Sequence, residues 1–221
     1  MAEIALIVGA GTGLSAALAR LFHKEGMSVA LAARRTDKLA ALSKETHARA
    51  YACDAERAAD VEALFKSVVA DMGPPNLVVY NPSYRTRGPV AELDPQEVLK
   101  TITVTCFGGF LVAQQAARLM LKEGHGTILF TGASASIKGY ARSAPFAMGK
   151  FGLRGLAQSM ARELAPQGIH VAHFVIDGRI GRTSDAELHP DEIARNYMNV
   201  YRQARSAWTW EVELRPWVER F

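Results

Sequence analysis

Gly9-Ala10-Gly11-Thr12-Gly13-Leu14-Ser15 stands between a short apolar run and a helical pattern. Glycines so spaced permit a tight turn and let backbone approach a pyrophosphate. The helix behind them offers free N–H groups and a partial positive charge. Gly9, Gly11, Thr12, Gly13 and Leu14 are therefore the candidate cradle of a dinucleotide phosphate site. The alternative is a plain glycine-rich turn; placement after the first strand of an alternating chain favours the nucleotide. The second apolar run ends Leu31-Ala32-Ala33-Arg34-Arg35. A carboxylate at this point would suit the ribose hydroxyls of NAD, whereas a cation suits a 2′-phosphate. With Ala33 neutral and Arg34 and Arg35 following, NADP(H) is expected over NAD(H), a solvated turn being the alternative. Asp54, after the third run, either accepts from the adenine amino group or caps a helix.

Two further groups invite chemistry and carry less. His170 and His173 resemble a metal pair, but a spacing of three on a strand sends side chains to opposite faces. They read as structural histidines, and no metal is expected. Cys53 and Cys106 have no basic neighbour in sequence to activate them and form no CxxC.

These residues must be positioned by elements, and hydrophobic periodicity supplies them. Apolar runs at 4–8, 28–33, 48–52, 77–81, 126–131 and 169–176 read as buried parallel strands. Helical patterns at 14–25, 36–47, 56–72, 94–121, 144–165 and 190–205 lie between and after them, and 208–214 ends the set as a strand. Gly26 closes the first helix, Thr36 caps the second, and Asp94-Pro95 opens the fourth. Trp208 and Trp210 are expected on one face of the last strand. The pattern implies an α/β fold: a Rossmann-type, doubly wound parallel sheet of about seven strands with helices on both faces, in one domain spanning 1–221. Ligands of such sheets bind beyond the carboxyl ends of the strands, which is where the residues above fall.

Composition limits the alternatives. The chain has 221 residues, 49% hydrophobic and 22% charged, enough for one core. Its formal charge is +4, but Lys and Arg are scattered in runs no longer than Arg34-Arg35, so no nucleic-acid partner is expected. No stretch is read as the ~20 apolar residues of a membrane span, and no signal peptide is read at the N-terminus. Two cysteines cannot build a disulfide framework, so a cytoplasmic setting is expected.

Taken together the chain resembles the classical-type short-chain dehydrogenases/reductases over residues 3 to 221. The matching parts are Gly9–Gly13, Cys53-Asp54, Asn81, Lys150 and Gly178-Arg179-Ile180. The resemblance implies that Asn81, Lys150, Gly178 and Ile180 join the cofactor site. It also implies a Tyr-x-x-x-Lys pair one helical turn apart, in which tyrosine exchanges a proton with substrate and lysine lowers its pKa and binds the nicotinamide ribose. Here the pair reads Phe146-Ala147-Met148-Gly149-Lys150, and Phe146 has no hydroxyl. The carbonyl-polarising serine of the family falls at Ala133, with Ser134 one residue late. The family's helix asparagine falls at Thr105. The pattern is that of an atypical branch lacking the active-site tyrosine, with Lys150, Ser134 and Phe146 as its catalytic positions. Tyr140, Ser143, Tyr84 and Arg85 are alternative proton or charge sources in nearby loops.

Two functions follow. One is an NADP(H)-dependent oxidoreductase acting on a carbonyl or alcohol by an altered proton route. The other is a catalytically silent NADP(H)-binding sensor or partner protein. The short stretch from Gly178 to Pro190 implies an open pocket, or one completed by another subunit. The resemblance places a dimer face on the helices at 94–121 and 144–165 and a second interface at the last strand, hence a homodimer or homotetramer acting on a small molecule.

Overall fold

A computed structural model describes residues 2–219. Its seven strands form one parallel sheet in the order β3-β2-β1-β4-β5-β6-β7. In chain order these are β1 (Ile4–Val8), β2 (Ser28–Ala33), β3 (Arg49–Ala52), β4 (Leu77–Tyr80), β5 (Gly126–Thr131), β6 (Ile169–Ile176) and β7 (Glu211–Leu214). The helices are α1 (Leu14–Lys24), α2 (Ala40–Thr46), α3 (Ala58–Asp71), α4 (Pro95–Ile102), α5 (Gly108–Glu123), α6 (Ala144–Leu164) and α7 (Pro190–Tyr201). The expected doubly wound sheet is therefore present.

The continuous apolar runs are explained by burial on both faces. Ala5 and Ile7 join a core with Leu14, Leu18, Phe22 and Tyr197 from α1 and α7. Leu6 and Val8, pointing the other way, join Phe65, Val112, Leu153 and Ala157 from α3, α5 and α6. Alternation along one strand thus feeds two cores, so neither face can accept a polar residue cheaply. Between β1 and β4 the winding reverses. Val8 pairs with Ala32 on one side and with Tyr80 on the other, a switch point of the kind at which such sheets bind ligands.

Several local expectations are corrected. Thr36 makes no side-chain cap; a single 3₁₀ turn, Asp37–Leu39, precedes α2. The last strand begins at Glu211, so Trp208 and Trp210 lie before it. Trp208 instead stacks flat on His170, ring centroids 4.8 Å apart, and Trp210 lies under Arg154. The fourth helix is interrupted by a π turn, Thr103–Phe107. That turn rolls Thr105 inward, and a Cβ on Gly149 of α6 would lie 2.8 Å from it. Asp94 does cap α4, accepting from the Gln96 amide at 2.9 Å. The whole run from Pro95 to Glu123 is long and apolar enough to cross a membrane by length and composition, contrary to the sequence reading. Here its Val112, Ala113, Ala116 and Met120 are buried in the sheet core.

Candidate functional site

The glycine turn is built for close approach. Gly9 adopts φ +83°, and a Cβ there would lie 2.6 Å from the Pro82 nitrogen. Both Gly9 and Ala10 amides donate to the Ala32 carbonyl, which fixes the turn on β2. Around Gly11 and Gly13 there is open space. Gly13 is the N-cap of α1 without a side-chain bond, so the first helical amides face outward, ready for an anion. Ser15 turns inward: it donates to the Gly9 carbonyl at 3.0 Å and accepts from Asn81 Nδ2 at 2.7 Å. Asn81 thereby locks the loop after β4 to the turn. Thr12 is exposed above it and Leu14 is buried beneath.

A cavity of about 330 Å³ runs beside this turn and includes Gly9, Arg34, Asp54 and Asn81. Arg34 and Arg35 are exposed, and among the described residues neither has a hydrogen-bonded or ionic partner. Asp54 does not cap α3, whose N-cap is Arg57. It accepts instead from the Glu56 amide at 3.2 Å and lines the cavity. The unpaired amides and the glycine cradle fit the pyrophosphate of an adenine dinucleotide, with Arg34 on the cavity wall.

The second cavity, about 730 Å³, brings together Ser134, Phe146, Gly178 and Arg85. Lys150 lies one helical turn beyond Phe146 on α6. It is 2% exposed, and its Nζ donates to the Thr131 carbonyl at 2.6 Å. It is no surface lysine: burial, with a smaller contribution from the Arg85 charge, brings its ammonium down to about 7. The Phe146 ring is buried, with the Arg85 guanidinium 4.1 Å above its centroid and Lys150 Nζ 5.8 Å away. Two basic side chains thus approach one aromatic ring. Burial and the neighbouring Arg87 charge lower the Arg85 pKa.

Among the alternatives, Tyr84 is occupied by Glu97 at 2.7 Å, while Tyr140 and Ser143 line the second cavity. Thr105 is buried against the Tyr84 backbone. Ile180 bridges to Leu188, and Gly178 meets Pro216, so the stretch after β6 is pinned at both ends.

The sequence reading missed the groups that hold the far wall. Ser136, not Ser134, is buried; its Oγ meets His173 Nε2 at 3.3 Å, and His173 Nδ1 meets Glu211 at 3.1 Å. Arg154 completes the chain with two bonds to Glu211 at 2.7 Å. His170 is bonded to the Thr209 carbonyl, so the two histidines serve separate structural contacts. Asp177, 2% exposed, pairs with Lys138 at 3.1 Å. A carboxylate ending a buried strand demands a cation, and that signal was available in the sequence.

Comparisons agree with this architecture. A family profile described as short chain dehydrogenase matches residues 3–180. A putative ketoacyl reductase of Streptomyces coelicolor is 31% identical over 176 residues, covering 76% of this chain and 67% of its own. A short-chain dehydrogenase structure from Rhodopseudomonas palustris superposes with TM-score 0.89 at 36% identity, covering 97% of this chain and 99% of the other. A metagenomic short-chain oxidoreductase in complex with NADP gives TM-score 0.87 at 28% identity, with 97% of each chain covered. The chain belongs to the short-chain dehydrogenase/reductase family of oxidoreductases.

Proposed function

We propose that this chain is an NADP(H)-dependent oxidoreductase that interconverts a carbonyl and an alcohol without the family's usual tyrosine. One observation carries the reading: Lys150 is buried, paired with no carboxylate, held by Thr131, and 5.8 Å from the ring of Phe146, which lines the second cavity. A lone buried ammonium is costly, and its retention at the strand tips suits a group that meets substrate and ribose oxygens. The NADP complex of the similar metagenomic oxidoreductase supports the cofactor.

In this reading the first helical amides and the open faces of Gly11, Thr12 and Gly13 hold the pyrophosphate. Arg34 and Arg35 hold the 2′-phosphate, Asp54 the adenine, and Lys150 the nicotinamide ribose. Asn81 positions the loop between the two cavities, and Gly178 and Ile180 border the nicotinamide end. When bound, the nicotinamide supplies the hydride. Phe146 stands where the family pattern has tyrosine, so its ring only shapes the pocket. Arg85 lies over that ring and stabilises negative charge developing on the substrate oxygen. Lys150 Nζ, close to neutrality in proton affinity, is the proton source, and Ser134 orients the carbonyl by hydrogen bonding.

We place the protein in the reducing cytoplasm, since both cysteines are free and burial pushes the Cys53 thiol up to about 12. The test is titration with NADPH and NADH, followed by nicotinamide fluorescence. NADPH is expected to bind at least tenfold more tightly, and Arg34→Gln with Arg35→Gln should erase that preference. Failure of both nucleotides to bind overturns the reading; tighter NADH removes the role of the two arginines.

A further inference from the structure

The second cavity carries an imbalance of charge. Three of its guanidinium groups, Arg85, Arg87 and Arg142, make no ion pair among the described residues. Its fourth arginine, Arg179, is neutralised by Glu187 at 3.0 Å. Asp177 on the same wall is already taken by Lys138. Glu219 is the remaining carboxylate, so the cavity keeps an excess of positive charge.

The placement is not a random scatter of surface cations. The Gly88 amide donates to the Arg142 carbonyl at 3.0 Å, binding the loop after β4 to the loop before α6. Arg87 and Arg142 thereby belong to neighbouring loops that both line the cavity. Arg142 adopts φ +62°, a backbone that non-glycine residues other than Asn and Asp seldom take. Such strain is usually retained at binding loops rather than at idle surface. Arg85, further in, is close enough to Arg87 for repulsion to be felt. Like charges gathered on a concave wall with few acids are relieved by an anionic ligand, and the guanidinium fork matches a carboxylate in two parallel bonds.

We infer that the substrate carries a carboxylate, which Arg87 and Arg142 hold at the cavity rim while its carbonyl lies inward beside Arg85 and Phe146. This inference rests on the oxidoreductase reading of the same site and adds its substrate class. The reaction balances as reduction of an oxo acid: the carbonyl carbon takes the hydride of NADPH, the oxygen takes one proton, and a hydroxy acid and NADP leave.

The experiment uses 2-oxo and 4-oxo acids of four to eight carbons, each paired with its methyl ester, and NADPH-loaded protein. Expected is a kcat/KM ratio of acid to ester of at least tenfold for one chain length. In Arg87→Gln with Arg142→Asn the ratio should fall to within twofold; asparagine tolerates the backbone at 142, and Arg87→Gln alone serves if the pair misfolds. Esters that match acids throughout, or a ratio that survives in the variant, overturn the inference. If no compound is turned over, calorimetric titration of the acids decides: saturable binding lost in the variant upholds it, and no binding overturns it. The same titration without nucleotide separates the two readings. Acid binding with no NADPH binding sinks the cofactor assignment alone, and NADPH binding with no acid preference sinks only the substrate class.

Discussion

Lys150 and Phe146 occupy one helical turn of α6, and their chemistry pulls in opposite directions. The lysine is buried without a counter-ion, so its charged form is penalised and its proton affinity is brought down to about 7 from 10.5. Between those values the unfolded chain binds more protons than the folded one, so stability rises with pH across that window. Below pH 7 both states are charged and the burial penalty is felt in full. Lys150→Met is expected to be more stable than the parent at pH 6 by about 1–3 kcal/mol, with the gap closing near pH 10.5. Urea midpoints at pH 6, 8 and 10 in cofactor-free protein would show it; a difference independent of pH would refute the penalty. Phe146 meets the opposite test. Introducing a hydroxyl by Phe146→Tyr together with Ala133→Ser should raise carbonyl reduction by about 10²-fold, the lower range of general acid catalysis. Unchanged rates on a broad carbonyl panel would show that the scaffold has moved away from tyrosine chemistry altogether.

At the scale of elements, the turn from β1 to α1 binds together the whole cofactor end. Gly9 needs its positive φ, and Pro82 leaves no space for a methyl group. Gly9→Ala is expected to cost about 2–4 kcal/mol and to abolish nucleotide binding, measured by urea unfolding and nicotinamide fluorescence. A variant with parental stability would mean that Pro82 moves aside freely. This turn was legible in the sequence because glycine spacing and position after a strand are local signals. So were β2, β5 and β6, whose apolar runs bound the strands to the residue. The π turn at Thr103–Phe107 was not legible: it answers to the close approach of Gly149 on α6 and of Gly108 and Gly109 to Tyr80 and Leu153, all contacts distant in sequence. The Ser136–His173–Glu211 chain was hidden for the same reason, since its members come from three separate elements. Lys150 could be singled out by its register with Phe146, but its burial could not. The arginine excess of the second cavity was likewise unreadable, because Arg87 and Arg142 come to one cavity only when two loops are tied together.

For the molecule as a whole, an exposed apolar patch outside both cavities remains to be explained. Phe107 and Phe110 stack on one another with ring centroids 6.1 Å apart, 48% and 40% exposed. Met148 and Phe151 of α6 are 54% and 44% exposed. The two helices lie against each other here, since a Cβ on Gly152 would come within 2.8 Å of Cys106 Sγ. Exposed aromatic groups gathered on adjoining helices are disfavoured in water and are relieved by burial against a like surface. The family resemblance puts a subunit interface on these helices, and a two-fold pairing would bury these side chains against their copies. Phe110→Glu with Phe151→Glu should therefore halve the mass seen by sedimentation equilibrium, because four carboxylates would be forced together at the seam. The proposed cofactor cradle at 9–14 lies on other elements, so NADPH binding should outlast dissociation. A parent that sediments as a monomer, or a variant of undiminished mass, would leave these aromatics without a subunit to cover them.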